Sequence, residues 1–343
     1  ALAALLALAL AGVAAVIVYW RLYLLGPAGD PFTRGPYLLR VEDTAAELRW
    51  TVRGDAPVEV VARDAAGRTV AARGGRLTGL TPGTRYTWAA SVAGTARAAG
   101  AFTTPAPDPS RPVRLAVIAD YGTGGDAAWA VARTLAADAP DLAVTAGDNS
   151  YLTAAGILLD RNVFRPLAEV MRHAPVHVGV GDHDRLPPGD GALRAAFDVP
   201  PSGRYVVAHG TVQIVMLGVS ATGPAVAFAR RALRQPGFTR RFVVVHRPVR
   251  AGDAILPVLR AARVDAVLAG HVHRYERRTV GGVRMFTVGT GGARLHRPGS
   301  SAGGDAEVTI VDHGHLLVHV ARTRVVYTFV DARGRTRDRV TAP

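Results

Sequence analysis

Cysteine is absent from this chain of 343 residues. That excludes a disulfide scaffold, a thiol nucleophile and any metal site built on thiolates, such as Cys-ligated zinc or an iron–sulfur cluster. It leaves the redox compartment open, because exported proteins without disulfides are common. Lysine is absent as well, so all 41 basic residues are arginine, and the formal net charge is +14. A chain rich in Ala, Gly and Arg without Lys reads as the product of a GC-rich bacterial genome. The arginines are scattered and form no basic tract, so no nucleic acid is expected as a partner. Their summed charge would still attract an anionic substrate. At 49% hydrophobic and 20% charged, the chain can bury full cores and is neither disordered nor fibrous. Its length suggests two domains of unequal size.

Charge is also missing from Ala1 to Trp20, which is nearly all Ala, Leu and Val. About 20 apolar residues suffice to span a bilayer. Tyr19 and Trp20 suit the membrane interface, and Arg21 would snorkel there. Residues 1–25 are therefore expected to form a hydrophobic helix that anchors the chain in a membrane. A cleaved signal peptide is the alternative. Either reading exports the rest of the chain, as a membrane-anchored or a secreted protein. A second break lies at Thr104–Pro112, where four prolines in nine residues allow neither helix nor central strand. It separates a segment at 33–104 from one at 113–343.

In the first segment, Glu47–Val52, Val58–Ala62 and Tyr86–Ala90 alternate polar and apolar residues, as half-buried strands do. Turn residues separate them at short intervals, which suggests a small β-sandwich. The stretch Leu80-Thr81-Pro82-Gly83-Thr84-Arg85-Tyr86, a Trp some 30 residues earlier and the closing Phe102-Thr103-Thr104 resemble a fibronectin type III domain. Nothing in the segment forms a catalytic set, so a packing or spacer role is expected.

The second segment carries the chemistry. Apolar runs at 114–119, 141–147, 176–181, 242–245 and 266–270 lead in turn to Asp120, Asp148, Asp182, His246 and His271. Short, nearly continuous apolar runs read as strands buried on both faces. Helical stretches lie between several of them, such as Ala127–Ala137 and Val226–Leu233. In such sheets ligands gather at the carboxyl ends of the strands. Singly, an Asp after a strand is an ordinary helix cap, and a His there an ordinary core residue. Five in succession point to one rim that binds metal. In His271-Val272-His273 an extended chain would turn both imidazoles to one side, close enough to serve two ions about 3.5–4 Å apart. Mixed carboxylate and imidazole ligands suit iron, zinc or manganese.

Asp120-Tyr121-Gly122, Gly147-Asp148-Asn149-Ser150-Tyr151, Gly181-Asp182-His183-Asp184, Val243-Val244-Val245-His246 and Gly270-His271-Val272-His273 resemble the five blocks of the metallophosphoesterases. Tyr151, His246-Arg247-Pro248 and the stretch from Gly270 to Arg277 are similar to the purple acid phosphatases in particular. The resemblance implies an α/β (α+β) fold: a metallophosphoesterase β-sandwich flanked by helices, behind the fibronectin-like sandwich. It implies that Asp120, Asp148, Tyr151 and His273 hold a ferric ion. Asp148 would bridge to a divalent Fe, Zn or Mn that Asp182, His246 and His271 also bind. Two such cations polarise phosphoryl oxygens and generate a hydroxide at moderate pH. His183 would contact the phosphate and protonate the leaving oxygen, with Asp184 orienting it.

Two departures stand out from the family pattern. Its third block reads Gly-Asn-His, whereas Asp182 replaces the amide here and adds a negative charge near the phosphate. Arg247–Leu259 holds no His, unlike plant-type members, so Arg247, Arg294 and His296 become the candidates for substrate contact. The Gly289–Gly292 turn is expected to be a tight loop on the active-site side. His313, His315 and His319 match no block and are expected to be structural. The expected activity is hydrolysis of phosphate monoesters. The alternatives are a phosphodiesterase on nucleotides or lipid headgroups, and a metal-binding but inactive adhesion module.

Overall fold

The structure is a computed structural model that describes residues 10–14, 16, 31–151, 154, 156–187, 189–297 and 306–343. Most of the segment expected as an anchor or signal, 1–25, falls outside these residues; 10–14 and 16 are helical. Among the described residues no helix is long and apolar enough to cross a membrane.

Seven strands precede the proline-rich break: β1 (Phe32–Val41), β2 (Ala45–Val52), β3 (Val58–Asp64), β4 (Thr69–Ala71), β5 (Arg76–Thr78), β6 (Arg85–Val92) and β7 (Thr95–Thr103). They form two sheets, ordered β1-β2-β5 and β4-β3-β6-β7. The alternation read in the sequence is explicit in β6, where Tyr86, Trp88, Ala90 and Val92 point inward. They meet Leu38, Leu48 and Leu77 of the opposite sheet in one core. The Tyr86 hydroxyl accepts the Thr81 N–H at 2.9 Å and pins the turn before β6. The module is not loosely tethered. Tyr37 and Leu39 of β1 enter a different core, with Ile118, Phe164 and Phe197. The Tyr37 hydroxyl donates to the Ala196 carbonyl at 2.7 Å, and the Trp88 indole to the Arg172 carbonyl at 3.0 Å.

Beyond the break the strands are β8 (Val113–Ile118), β9 (Leu142–Thr145), β10 (Val176–Val178), β11 (Tyr205–His209), β12 (Val212–Met216), β13 (Arg240–Val245), β14 (Ala266–Ala269), β15 (Tyr275–Val280), β16 (Val283–Val288), β17 (Val308–Ile310), β18 (Gly314–Val320), β19 (Val325–Asp331) and β20 (Thr336–Ala342). One sheet runs β10-β9-β8-β18-β19-β20 and the other β11-β12-β13-β14-β16-β15-β17. Within them β8, β9 and β10 are mutually parallel, as are β12, β13, β14 and β16.

The sheets face each other across Leu115, Val117, Val144, Ile214, Phe242, Leu268 and Phe286. Helix α1 (Asp126–Ala137) covers the outer face of the first. It buries Ala128, Val131, Ala132 and Leu135, a single stripe at helical spacing. Further along come α2 (Gly156–Leu159), α3 (Ala168–His173) and α4 (Gly191–Phe197). The outer face of the second sheet is covered by α5 (Gly223–Ala232) and α6 (Leu256–Ala261), packed on Val215, Val243, Val245 and Val267. Helices on both outer faces explain why β8, β9, β13 and β14 are apolar at successive positions: each side of the strand meets a core. The result is a β-sandwich flanked by helices.

Candidate metal centre

Each apolar run ends where its strand leaves the core, and the polar residue that follows sits at the rim. Asp120 and Asp148 follow β8 and β9, Asp182 follows β10, His246 follows β13 directly, and His271 follows β14. The turns are tight. Asp120, Asp148 and His271 have left-handed backbones, with φ of 56°, 54° and 68°. Such a conformation is uncommon outside glycine and costs on the order of 1–3 kcal/mol. Its concentration on three of these residues marks a site whose side-chain aim outweighs local strain. The glycines of the motifs serve close approach. A Cβ on Gly181 would overlap the Asp148 carboxylate, and one on Gly270 would lie 2.6 Å from Asp120 Oδ2.

The side chains converge in two triads, Asp120–Asp148–His273 and Asp182–His246–His271. Within each, the ligand atoms lie within 4.8 Å of one another. Asp148 joins the two, since its Oδ1 is 3.3 Å from His246 Nε2. Tyr151 belongs to the first triad: its hydroxyl is 3.3 Å from Asp120 Oδ1 and 3.0 Å from His273 Nε2. Two imidazoles are held by main-chain carbonyls. His246 Nδ1 donates to Ala146 O at 2.8 Å and His273 Nδ1 to Arg294 O at 2.9 Å. Each Nε2 therefore faces inward, where it would offer a lone pair to a metal once its proton is displaced. The donor set of carboxylates, imidazoles and one phenol fits two iron-, zinc- or manganese-type cations. His271 and His273 reach different triads. Because His271 is left-handed rather than extended, the two rings are aimed by a turn and not by the same-side rule of an extended chain.

The electrostatics call for cations. Burial, with Asp120, Asp182 and Asp184 nearby, pushes the Asp148 carboxyl up to about 7, against the pull of His246. Burial and the Asp120 and Asp148 carboxylates drive the Tyr151 phenol far above its ordinary range. Burial alone would lower His246, but its bond to Asp182 and the Asp120 and Asp148 charges lift it to about 9. The hydrogen bond from His246 holds Asp182 well below the carboxylate range, assisted by Arg247. Stability follows. A carboxyl raised to about 7 contributes stability present below about 4 and lost as pH rises through 7. An imidazole raised to about 9 contributes below about 6.5 and loses it through 9. The two act through one shared contact and are not additive. The metal-stripped protein is thus expected to lose Tm steadily from pH 5 to 9 in a chelator, and added manganese to flatten that slope. A chelated Tm that climbs over this range would contradict the assignment.

Around the triads the structure distributes the other candidates. The His183 N–H donates to Asp148 Oδ1 at 3.0 Å, and its half-buried ring lies against Tyr151, centroids 4.7 Å apart. It belongs to neither triad. Asp184, expected to orient His183, is fully buried and accepts four N–H groups instead: Asn149 N and Nδ2 at 2.9 and 2.7 Å, Ser150 N at 3.1 Å and Gly181 N at 2.8 Å. It ties the loop after β9 to the loop after β10. Asn149, singled out by nothing in the sequence beyond its place in the second block, is its partner. Arg247 Nη2 donates to Asp182 Oδ2 at 2.9 Å. Arg294 contributes its carbonyl to His273, while its side chain is exposed. His296 stacks on His273 with centroids 4.3 Å apart. In the Gly289–Gly292 turn, Gly291 N donates to Ala119 O at 2.9 Å, so the turn braces the strand end that carries Asp120. His313 and His315 bond to the Thr290 carbonyl and to Asp138, and His319 lies on β18; none joins a triad.

Residues 113–275 match the calcineurin-like phosphoesterase family. No curated protein matches the chain. Among solved structures it is similar to the purple acid phosphatase PPD1 from seeds of yellow lupin (Lupinus luteus), at 16% identity and a TM-score of 0.74, over 90% of this chain and 74% of that one. It is similar to PhoD at 12% identity and a TM-score of 0.65, over 92% and 90% of the two chains. GAP50, the anchor in the inner membrane complex of Plasmodium, aligns at 15% identity and a TM-score of 0.52, over 67% and 88%. At these identities the likeness is one of fold.

Proposed function

Starting from the calcineurin-like metallophosphoesterase domain that residues 113–275 form, we propose that the chain hydrolyses phosphate monoesters at a two-metal centre. The observation that carries this is the pair of triads joined by Asp148. Asp120, Asp148, Tyr151 and His273 would hold a ferric ion. Asp182, His246 and His271, with Asp148, would hold a divalent Fe, Zn or Mn. A pair of cations bound there would supply charge to polarise a phosphoryl oxygen and acidify water. The chain's own residues do the rest. The Ala146 and Arg294 carbonyls keep both Nε2 atoms turned inward. His183, held at its N–H by Asp148, presents the ring that protonates the leaving oxygen. Tyr151 is buried among carboxylates that oppose its ionisation; held as a phenolate it would need a strongly acidic cation beside it, which supports iron in the first position. The sandwich at 33–104 is read as a fibronectin type III-like module that braces the catalytic segment at 113–343. The uncharged run at 1–20 within the segment 1–25 supports export, by an anchor or a cleaved signal.

The test is hydrolysis of p-nitrophenyl phosphate by protein stripped of metal and reloaded with iron plus zinc or manganese. Chelation is expected to abolish turnover and reloading to restore it, with bis(p-nitrophenyl) phosphate cleaved far more slowly. The iron-loaded protein should show a visible charge-transfer band that Tyr151→Phe removes. Full turnover after exhaustive chelation would refute the metal mechanism. A colourless, iron-free but fully active protein would reduce Tyr151 to a packing residue.

A further inference from the structure

The two oxygens of Asp182 face different partners. Oδ1 looks into the second triad, 2.6 Å from His246 Nε2 and 3.5 Å from His271 Nδ1. Oδ2 accepts from Arg247 Nη2 at 2.9 Å. Arg247 follows His246 directly, so the loop after β13 carries a ligand and, one residue later, a fixed positive charge set against another ligand. A guanidinium keeps its charge at every accessible pH. The Arg247 side chain is 50% exposed and lines a cleft of about 320 Å³ that also touches His271. It is not committed to a core, and its truncation leaves the packing intact.

We propose that Arg247 is a built-in counter-ion that sets the affinity of the Asp182–His246–His271 triad for a divalent cation. The proposal rests on the metal centre described above and adds a determinant of its occupancy. Paired with Arg247, the Asp182 carboxylate brings no net charge to the triad, and the guanidinium repels a cation that approaches from the same cleft. Removing Arg247 leaves the local charge at −1, removing the Asp182 charge leaves it at +1, and removing both returns it to zero. A bystander arginine would give no such pattern, and a mere hydrogen-bonding role would be kept by glutamine.

The experiment is calorimetric titration of Mn2+ into the metal-stripped full chain, with Tm measured on each variant to confirm folding. Arg247→Ala and Arg247→Gln are both expected to bind about tenfold more tightly than wild type, the scale of one half-exposed unit charge acting on a divalent cation. Asp182→Asn should bind about tenfold more weakly, and the Asp182→Asn/Arg247→Ala double variant should return close to wild type. Unchanged or weaker binding in Arg247→Ala overturns the proposal. So does wild-type affinity in Arg247→Gln alongside a change in Arg247→Ala, since the hydrogen bond would then be the cause. If wild type binds manganese and the series is flat, the role of Arg247 alone falls. If wild type binds none, the two-metal centre falls and the proposal with it.

Discussion

Asp148→Asn is expected to lower turnover at least about a thousandfold, on the order of 4 kcal/mol of transition-state stabilisation. It should do so while leaving the metal-free protein as stable as wild type or more so. Both outcomes come from the same position. Asp148 is the one side chain that belongs to the first triad and touches His246 of the second. An amide there would give up the charge that offsets the two cations of the proposed centre, and without either ion the centre would supply neither acidified water nor a clamp on the phosphoryl group. Without metal that charge is a burden, because burial and the neighbouring carboxylates already drive the carboxyl up to about 7. Asn retains an oxygen to accept the His183 N–H, so the local backbone persists. Above pH 7 the metal-free variant should therefore melt at or above the wild-type temperature, a trade of stability against function. Turnover within tenfold of wild type at saturating metal would remove Asp148 from the centre. A metal-free variant that melts well below wild type would show that the carboxylate is structural.

The second large effect is on folding. Asp184→Ala is expected to destabilise the protein by on the order of 4 kcal/mol in urea unfolding, because it strands four buried N–H donors at about 1–3 kcal/mol each before water relieves some of them. The donors come from Asn149, Ser150 and Gly181, so the loops that present Asp148 and Asp182 lose their common acceptor. Burial raises the Asp184 carboxyl despite those donors, so its charge is itself partly unfavourable. Asp184→Asn removes a buried charge and keeps one acceptor oxygen for two of the four donors, but its amide nitrogen faces the other two, so it should recover about half of the loss. An alanine variant within about 1 kcal/mol of wild type would show that the two loops hold together without this carboxylate.

Much of the architecture was legible as a local pattern. The runs at 114–119, 141–147, 242–245 and 266–270 appear as β8, β9, β13 and β14, and Ala127–Ala137 as α1. A strand covered on both faces tolerates only apolar residues, and one buried stripe on a helix repeats every three or four. For the same reason Asp120, Asp148, Asp182, His246 and His271 announced themselves. A charged residue directly after such a run must lie where the strand leaves the core, and parallel neighbours bring those ends to one edge.

What lies beyond the reach of any local pattern is pairing across the chain. The tautomer of His246 depends on a carbonyl 100 residues away, and Asp184 answers donors up to 35 residues away. Tyr37 leaves its own sandwich for the core of the next. His271 and His273, two positions apart, part company because His271 adopts a left-handed turn that no spacing encodes. Residue type and period are properties of neighbouring side chains, so the sequence alone determined the runs that form β8, β9, β13 and β14, the helices α1 and α5, and the residues that end those runs at the rim. Partner, aim and charge balance depend on which segments the two sheets bring together, so the tertiary structure alone decided how the side chains of the two implied ligand sets are held, the role of Asp184 and the pairing of Arg247 with Asp182.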